Sequence, residues 1–177
     1  MTDNNKKPEA NVEVKRQTPN KRKYPDGSAK WFLNRRLHRV DGPAWLDPDG
    51  SEFWFQNGER HRIDGPAFIL PDGREEWYLN GKHHRTDGPA STFPDGSEYW
   101  FLNGKSHRED GPAWIASGGS KYWYQHDELH RTDGPALIFR DGEKGWYLND
   151  IEYTFDEWCE KLVKTENQKV VLLLKYS

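Results

Sequence analysis

The chain has 177 residues, a net charge of −3, one cysteine, nine tryptophans and only 33% hydrophobic residues. A single cysteine excludes an intramolecular disulfide framework and a zinc site built from several cysteines. No apolar run approaches the ~18 residues of a membrane span and the start of the chain is polar, so the expectation is a soluble, cytoplasmic protein with no membrane partner.

Residues 1–23 hold seven Lys or Arg against Asp3, Glu9 and Glu13, a balance of +4, whereas the remainder carries 19 basic and 26 acidic residues, a balance of −7. With Pro8 and Pro19 and no periodic apolar pattern, this segment reads as a flexible basic arm. The acidic body argues against its being a nucleic-acid arm.

From residue 24 to 153 the same marks return every 23 residues. A Trp-aromatic pair begins at Trp31, Trp54, Trp77, Trp100, Trp123 and Trp146. The block His-Arg-x-Asp-Gly-Pro-Ala begins at His38, His61, His84, His107 and His130. Pro-Asp-Gly stands at 25, 48, 71 and 94, and is replaced by Ser117-Gly118-Gly119 and then Arg140-Asp141-Gly142. A fixed period of this length is the mark of a stacked repeat, so copy number describes the chain better than domain count.

Within one unit, Glu75 to Leu79 reads as a short aromatic strand, and Asn80-Gly81 as the type I′ hairpin turn that needs positive φ twice. Pro-Asp-Gly suits a type I turn with Gly left-handed. Each unit therefore reads as two antiparallel strands. The whole is expected to be an all-β meander of hairpin repeats, one twisted or curled sheet of about twelve short strands.

That turn sets Tyr78 opposite His83 and Trp77 opposite His84, with Ala67 near Trp77 on the other side. The Trp series and the block histidines (His38, His61, His84, His107, His130) are thus expected to form the structural repeat core. Alternation sends Phe32, Phe55, Tyr78, Phe101, Tyr124 and Tyr147 to the opposite face, beside Arg39, Arg62, Arg85, Arg108 and Arg131. This Arg/aromatic face is the candidate binding surface. In Asp-Gly-Pro, the Gly is expected to tolerate an unusual backbone and the Asp to accept from the Arg two residues earlier, kinking every unit alike.

The pattern fails after Asn149. Residues 154–177 read as a helical cap: Thr154 with Glu157 makes a capping box, and Phe155, Trp158, Cys159, Leu162 and Val163 share one helical face. Thr165 with Gln168 offers a second start leading into Val170 to Leu174. Two short helices would cover the sheet edge, and Cys159 would be core.

The unit from Trp77 to Ala90 resembles the MORN repeat, and more closely its Trp-Tyr-x-Asn-Gly-x-x-His-Arg-x-Asp-Gly-Pro-Ala variant, found in bacterial and tailed-phage proteins. The resemblance covers about 24–153 and implies an extended β-array used as a scaffold or binding surface, with no catalytic residues and no cofactor. Standard MORN repeats have Gly where this chain has His-Arg, so lipid binding does not transfer.

Successive histidines two strands apart lie ~10 Å from one another, too far to share one zinc. Five equivalent His-Asp pairs with no nucleophile beside them do not make an active site. The expectation is a non-catalytic scaffold that binds a protein partner; the phage resemblance suggests an inhibitor or sequestering factor acting on a host defence component in the host cytoplasm. The alternative is a binder of a small anionic ligand, nucleotide or nucleic acid through the Arg/aromatic face.

Overall fold

The computed structural model describes residues 18–162 and 164–176. The architecture is an antiparallel β-meander with a C-terminal pair of helices, as the repeat period implies; the sheet runs open from end to end. No helix among the described residues is long and apolar enough to cross a membrane.

The third unit shows how 23 residues are used. Its strands are Glu75–Glu76, Tyr78–Leu79, Lys82–His83 and Ser91–Thr92. The first and last lie in the main sheet, and the middle two form a separate hairpin. Trp77 joins the two pairings. Its N–H donates to Ala90 O in the main sheet (2.7 Å), and its C=O accepts from His84 N–H in the hairpin (3.0 Å). The other Trp-to-Ala and Trp-to-His bonds repeat this from unit to unit. The chain thus leaves the sheet at Trp54, Trp77, Trp100 and Trp123, which is why the described residues hold twenty-two short strands rather than about twelve longer ones; Ala29–Leu33 and Lys144–Leu148 run on through Trp31 and Trp146.

Both turns are built as their residues dictate. Asn57, Asn80 and Asn103 take φ of 54°, 49° and 53°, each followed by a positive-φ Gly, as a type I′ turn requires. In the connecting turn Gly50 has φ 93°, and Asp49 Oδ1 accepts from Ser51 N–H at 2.9 Å. The register agrees with the turn: Tyr78 faces His83 and Leu79 faces Lys82, while the Phe68–Glu76 pair sets Ala67 beside Trp77.

Fully buried side chains are few. Ala44, Ala67, Ala90, Ala113 and Ala136 are all 0% exposed and form the spine. An arginine covers the repeat Trp in each of the first five units. The Arg39, Arg62, Arg85, Arg108 and Arg131 guanidiniums lie 3.8 to 4.3 Å from the ring centroid of their own unit's Trp. This corrects the expected placement beside the Phe/Tyr row. Strand alternation holds only while the chain is extended; past the block His the backbone bends, and the guanidinium turns onto the indole. Once there, Arg85 Nε donates to Asp87 Oδ1 at 2.8 Å and its Nη1 to Pro89 O at 3.3 Å. The hydrogen-bonded Arg holds the Asp41, Asp87, Asp110 and Asp133 carboxyls below the usual carboxylate range.

The Gly of Asp-Gly-Pro serves this clamp and not a left-handed backbone. Among the described residues the positive-φ glycines are those of the turns. A Cβ on Gly42, Gly65, Gly88 or Gly111 would come 2.6 to 2.9 Å from the guanidinium carbon of its unit's Arg. The block therefore specifies a stack of glycine, guanidinium and indole.

Neighbouring units are stitched by three recurrent bonds. The Arg N–H donates to the aromatic residue's C=O in the next unit, as Arg85 N to Phe101 O at 3.1 Å. The second turn residue donates back, as Gly104 N to His83 O at 2.8 Å. The first turn residue's N–H donates to the previous unit's His Nδ1: Asn57 to His38, Asn80 to His61, Asn103 to His84 and His126 to His107, at 3.0 to 3.3 Å. In His38 and His61 the same Nδ1 also lies 3.0 and 2.9 Å from the side-chain Oδ1 of that turn Asn. The block histidine is thus a link between units as well as its own Trp's backbone partner. Its backbone pairing was legible beforehand, and this second bond was not.

Both ends depart from the repeat. Asn20–Lys23, within the segment expected to be an arm, forms the outermost strand against Ala29–Leu33. Its Lys21 and Arg22 lie over the Trp31 and Phe32 rings, and its charges guard an exposed edge. Residues 1–17 of that expected arm lie outside the described residues. At the other end, helices α1 (Phe155–Lys161) and α2 (Glu166–Tyr176) pack on Trp146 through Phe155, Trp158 and Tyr176. The Thr154 capping box forms, and Thr165 with Gln168 forms a second one. Trp158 and Cys159 are fully buried, and burial raises the Cys159 thiol pKa. The Val163 side chain lies outside the described residues. Of Val170 to Leu174, only Leu172 is buried.

A double-mutant cycle checks the clamp. Arg85→Ala should lower stability to urea by about 1–2 kcal/mol through loss of the cation–π contact and the Pro89 bond. Gly88→Ala should cost a similar amount alone and almost nothing in the Arg85→Ala background; additive losses would mean that the glycine has another purpose. In the first hairpin turn a residue with a side chain, Arg35, holds φ 65°. Arg35→Gly should therefore stabilise by about 0.5–1 kcal/mol, read as a higher urea midpoint at unchanged slope.

Candidate functional site

With each repeat Arg tied to its Trp, the opposite face of the main sheet is left to rings. A single cross-strand row runs Lys30, Trp45, Phe53, Phe68, Glu76, Ser91, Tyr99, Trp114, Tyr122, Leu137, Gly145. Centroids in this row are close: 4.7 Å for Trp45–Phe53, 5.1 Å for Phe53–Phe68 and 5.6 Å for Tyr99–Trp114. The Phe/Tyr residues that follow each Trp flank the row on the same side. Trp114 and Tyr124 are 4.7 Å apart, and Tyr78 reaches Glu76. The expected Arg/aromatic face is therefore split: Phe32, Phe55, Tyr78, Phe101, Tyr124 and Tyr147 belong to it, and the five block arginines do not.

Between Trp45 and Tyr122 the run of rings is broken once, in unit three. Where units two, four and five have Phe53, Tyr99 and Tyr122, unit three has Glu76. Where units one, two and four have Trp45, Phe68 and Trp114, it has Ser91, directly opposite Glu76. Where four other units have Ser28, Ser51, Ser97 and Ser120, it has Arg74. These three departures fall at adjoining positions on one face. They open a cleft of about 390 Å³ bounded by Phe68, Phe93, Tyr99, Phe101 and Trp114.

Glu76 sits at the floor, 4% exposed. Tyr78 Oη donates to its Oε2 at 2.6 Å, His83 Nε2 lies 3.0 Å from the same oxygen, and Arg74 pairs with Oε1. Burial works against the carboxylate's charge, but the bonds from His83, Tyr78 and Arg74 outweigh it and hold the pKa down at about 2. Burial and the adjacent carboxylate push the Tyr78 phenol up to about 12. Arg60 Nη1 donates to Tyr78 Oη at 3.0 Å. The His83 ring continues the aromatic run, 4.1 Å from Tyr78 and 5.0 Å from Phe101.

Two guanidiniums against one carboxylate leave a positive charge beside a ring-walled space. Arg74 Nε is buried and makes no hydrogen bond, so this cation retains donor capacity. Near neutral pH Glu76 stays ionised and Tyr78 stays a phenol. The cleft thus brings two guanidiniums and one ionised carboxylate together with flat apolar ring faces.

The sequence reading missed Arg60, Arg74, Glu76 and Ser91. The signal was present: in an array with so regular a period, three breaks in one unit stand out once the rows are aligned by strand partner. Comparison with known protein families finds none whose sequence model matches this chain, and comparison with curated proteins likewise finds no match.

Acid titration checks the buried carboxylate. Its folded pKa lies below the unfolded value of about 4.5, so its stabilisation is complete above that pH and is lost as pH falls toward 2. Glu76→Gln should therefore destabilise at pH 7 by on the order of 1–3 kcal/mol, with the gap to the parent narrowing steadily below pH 4.5. A gap constant with pH would show that Glu76 is not held as the ionised partner of Arg74 and His83.

Proposed function

We propose that this chain is a non-catalytic recognition scaffold whose working surface is the ring-lined face of the meander, and that its partner is a protein. The observation that carries this reading is the division of labour between faces. The block arginines and Trp rings satisfy one another on one side, while the other side presents half-buried Trp, Tyr and Phe in an unbroken lateral row to either side of unit three. Aromatic rings with adjacent arginines, here Arg60 and Arg74, are the residue types that dominate protein interfaces. The resemblance to MORN-type arrays supports a scaffold, and a sequestering role rests on that resemblance alone.

Site-resolved photo-cross-linking in the native cell tests the choice of face. A benzophenone side chain at Phe53 or Tyr122 should trap the same protein, whereas at Glu98 or Ile138, on the opposite face, it should trap none. Equal trapping from both faces would overturn the assignment. So would trapping only from α2, whose Val170, Val171 and Leu173 are 53%, 62% and 52% exposed.

A further inference from the structure

The cleft in unit three goes beyond a general binding face, and we propose that it is a site for a small planar anion: an aromatic body of about mononucleotide size carrying one phosphate or carboxylate. This does not depend on a protein partner docking to the same face.

The charge comes first. Glu76 is saturated by three donors and offers an incoming ligand nothing but its field, which Arg74 offsets. Arg60 spends one N–H on Tyr78 Oη and Arg74 pairs with Glu76 through Nη2, so the remaining N–H groups on the terminal nitrogens of the two guanidiniums are the unspent donors at the cleft. Guanidinium donors of this kind match the oxygens of a phosphate or carboxylate.

The walls decide the rest of the molecule. An isolated phosphate or carboxylate would need only the arginines, yet the space is bounded by five aromatic side chains. Arg74 itself lies 4.7 Å from the Phe93 centroid and 5.3 Å from that of Phe68, so the cation and the rings form one continuous surface. Flat faces at this density suit a conjugated ring, which stacks without needing directional bonds. The 390 Å³ volume falls at the small end of ligand sites, sized for one nucleobase-like or indole-like body with its anionic group rather than a chain of them.

The repeat supplies the internal reference. In units two, four and five, Ser stands for Arg74 and a ring stands for Glu76. Arg74→Ser with Glu76→Tyr would therefore reverse two of the three departures with side chains that the neighbouring units already accommodate, leaving Ser91 as the remaining gap in the row. A buried charged cluster replaced by packed rings is commonly neutral or stabilising.

Calorimetric titration of the full chain with adenosine 5′-monophosphate and with indole-3-acetate tests the proposal, with adenosine and inorganic phosphate as part-ligands. At least one of the two aromatic anions should bind saturably with Kd below about 1 mM, and each part-ligand should bind about tenfold or more weakly. Which of the two binds assigns the anion as phosphate or carboxylate. The R74S/E76Y chain should keep its circular dichroism and melting temperature and lose binding by about tenfold or more. Arg60→Gln gives a second reading should the double variant fold poorly, with a similar loss expected. No saturable binding of either aromatic anion, or undiminished binding by folded R74S/E76Y, would overturn it.

Discussion

The guanidinium held between a glycine and an indole is the contact on which this fold depends. Only small side chains are repeated at full burial, the alanines of the spine, so the array lacks the aliphatic interior that stabilises most domains of this length. A layer of Trp replaces it, and a layer of Arg covers the Trp. The guanidinium is a suitable cover because it is flat, weakly hydrated and able to stack while its edges hydrogen-bond to the Asp and the Pro carbonyl. Apolar burial and polar satisfaction are met by the same guanidinium, once in every unit that carries the block.

Stability in such an array is local and additive. Each unit bonds to the next through a histidine nitrogen, a turn N–H and the Arg backbone, so what a unit gains depends on its immediate neighbours. The ends follow from this. The first unit has no predecessor to donate to it, and Asn20–Lys23 supplies the missing strand. The last lacks a block of its own, and Tyr176 of α2 instead reaches back 2.9 Å to Arg131 while Trp158 donates to Arg131 O. The cap closes on the final clamp rather than on the bare sheet edge.

The same economy frees the other face to vary. Because Ala, Trp, Arg and Gly carry the stacking, positions on the opposite side can change without loosening the array. Unit three uses that freedom most, with a buried carboxylate where its neighbours have rings. Burying Glu76 is costly unless every lone pair is engaged, and the neighbourhood supplies three donors for it. An arrangement of that cost, confined to one unit of six, is the part of the chain that the repeat itself cannot explain.

The period, the Asn-Gly and Pro-Asp-Gly turns, the pairing of Tyr78 with His83 and the capping box at Thr154 were all determined by sequence alone, because each depends on residues a few positions apart. Local conformational preference needs no knowledge of the rest of the chain. The destination of the arginines was decided only by tertiary structure: past the block His the backbone leaves the extended state, and alternation no longer tells which way a side chain turns. Likewise, the identity of Glu76 was legible, but its significance required knowing that Ser91 is its cross-strand partner and that Arg74, Tyr78 and His83 converge on one carboxylate. Convergence from separate strands is a property of the folded sheet, and no spacing along the chain encodes it directly.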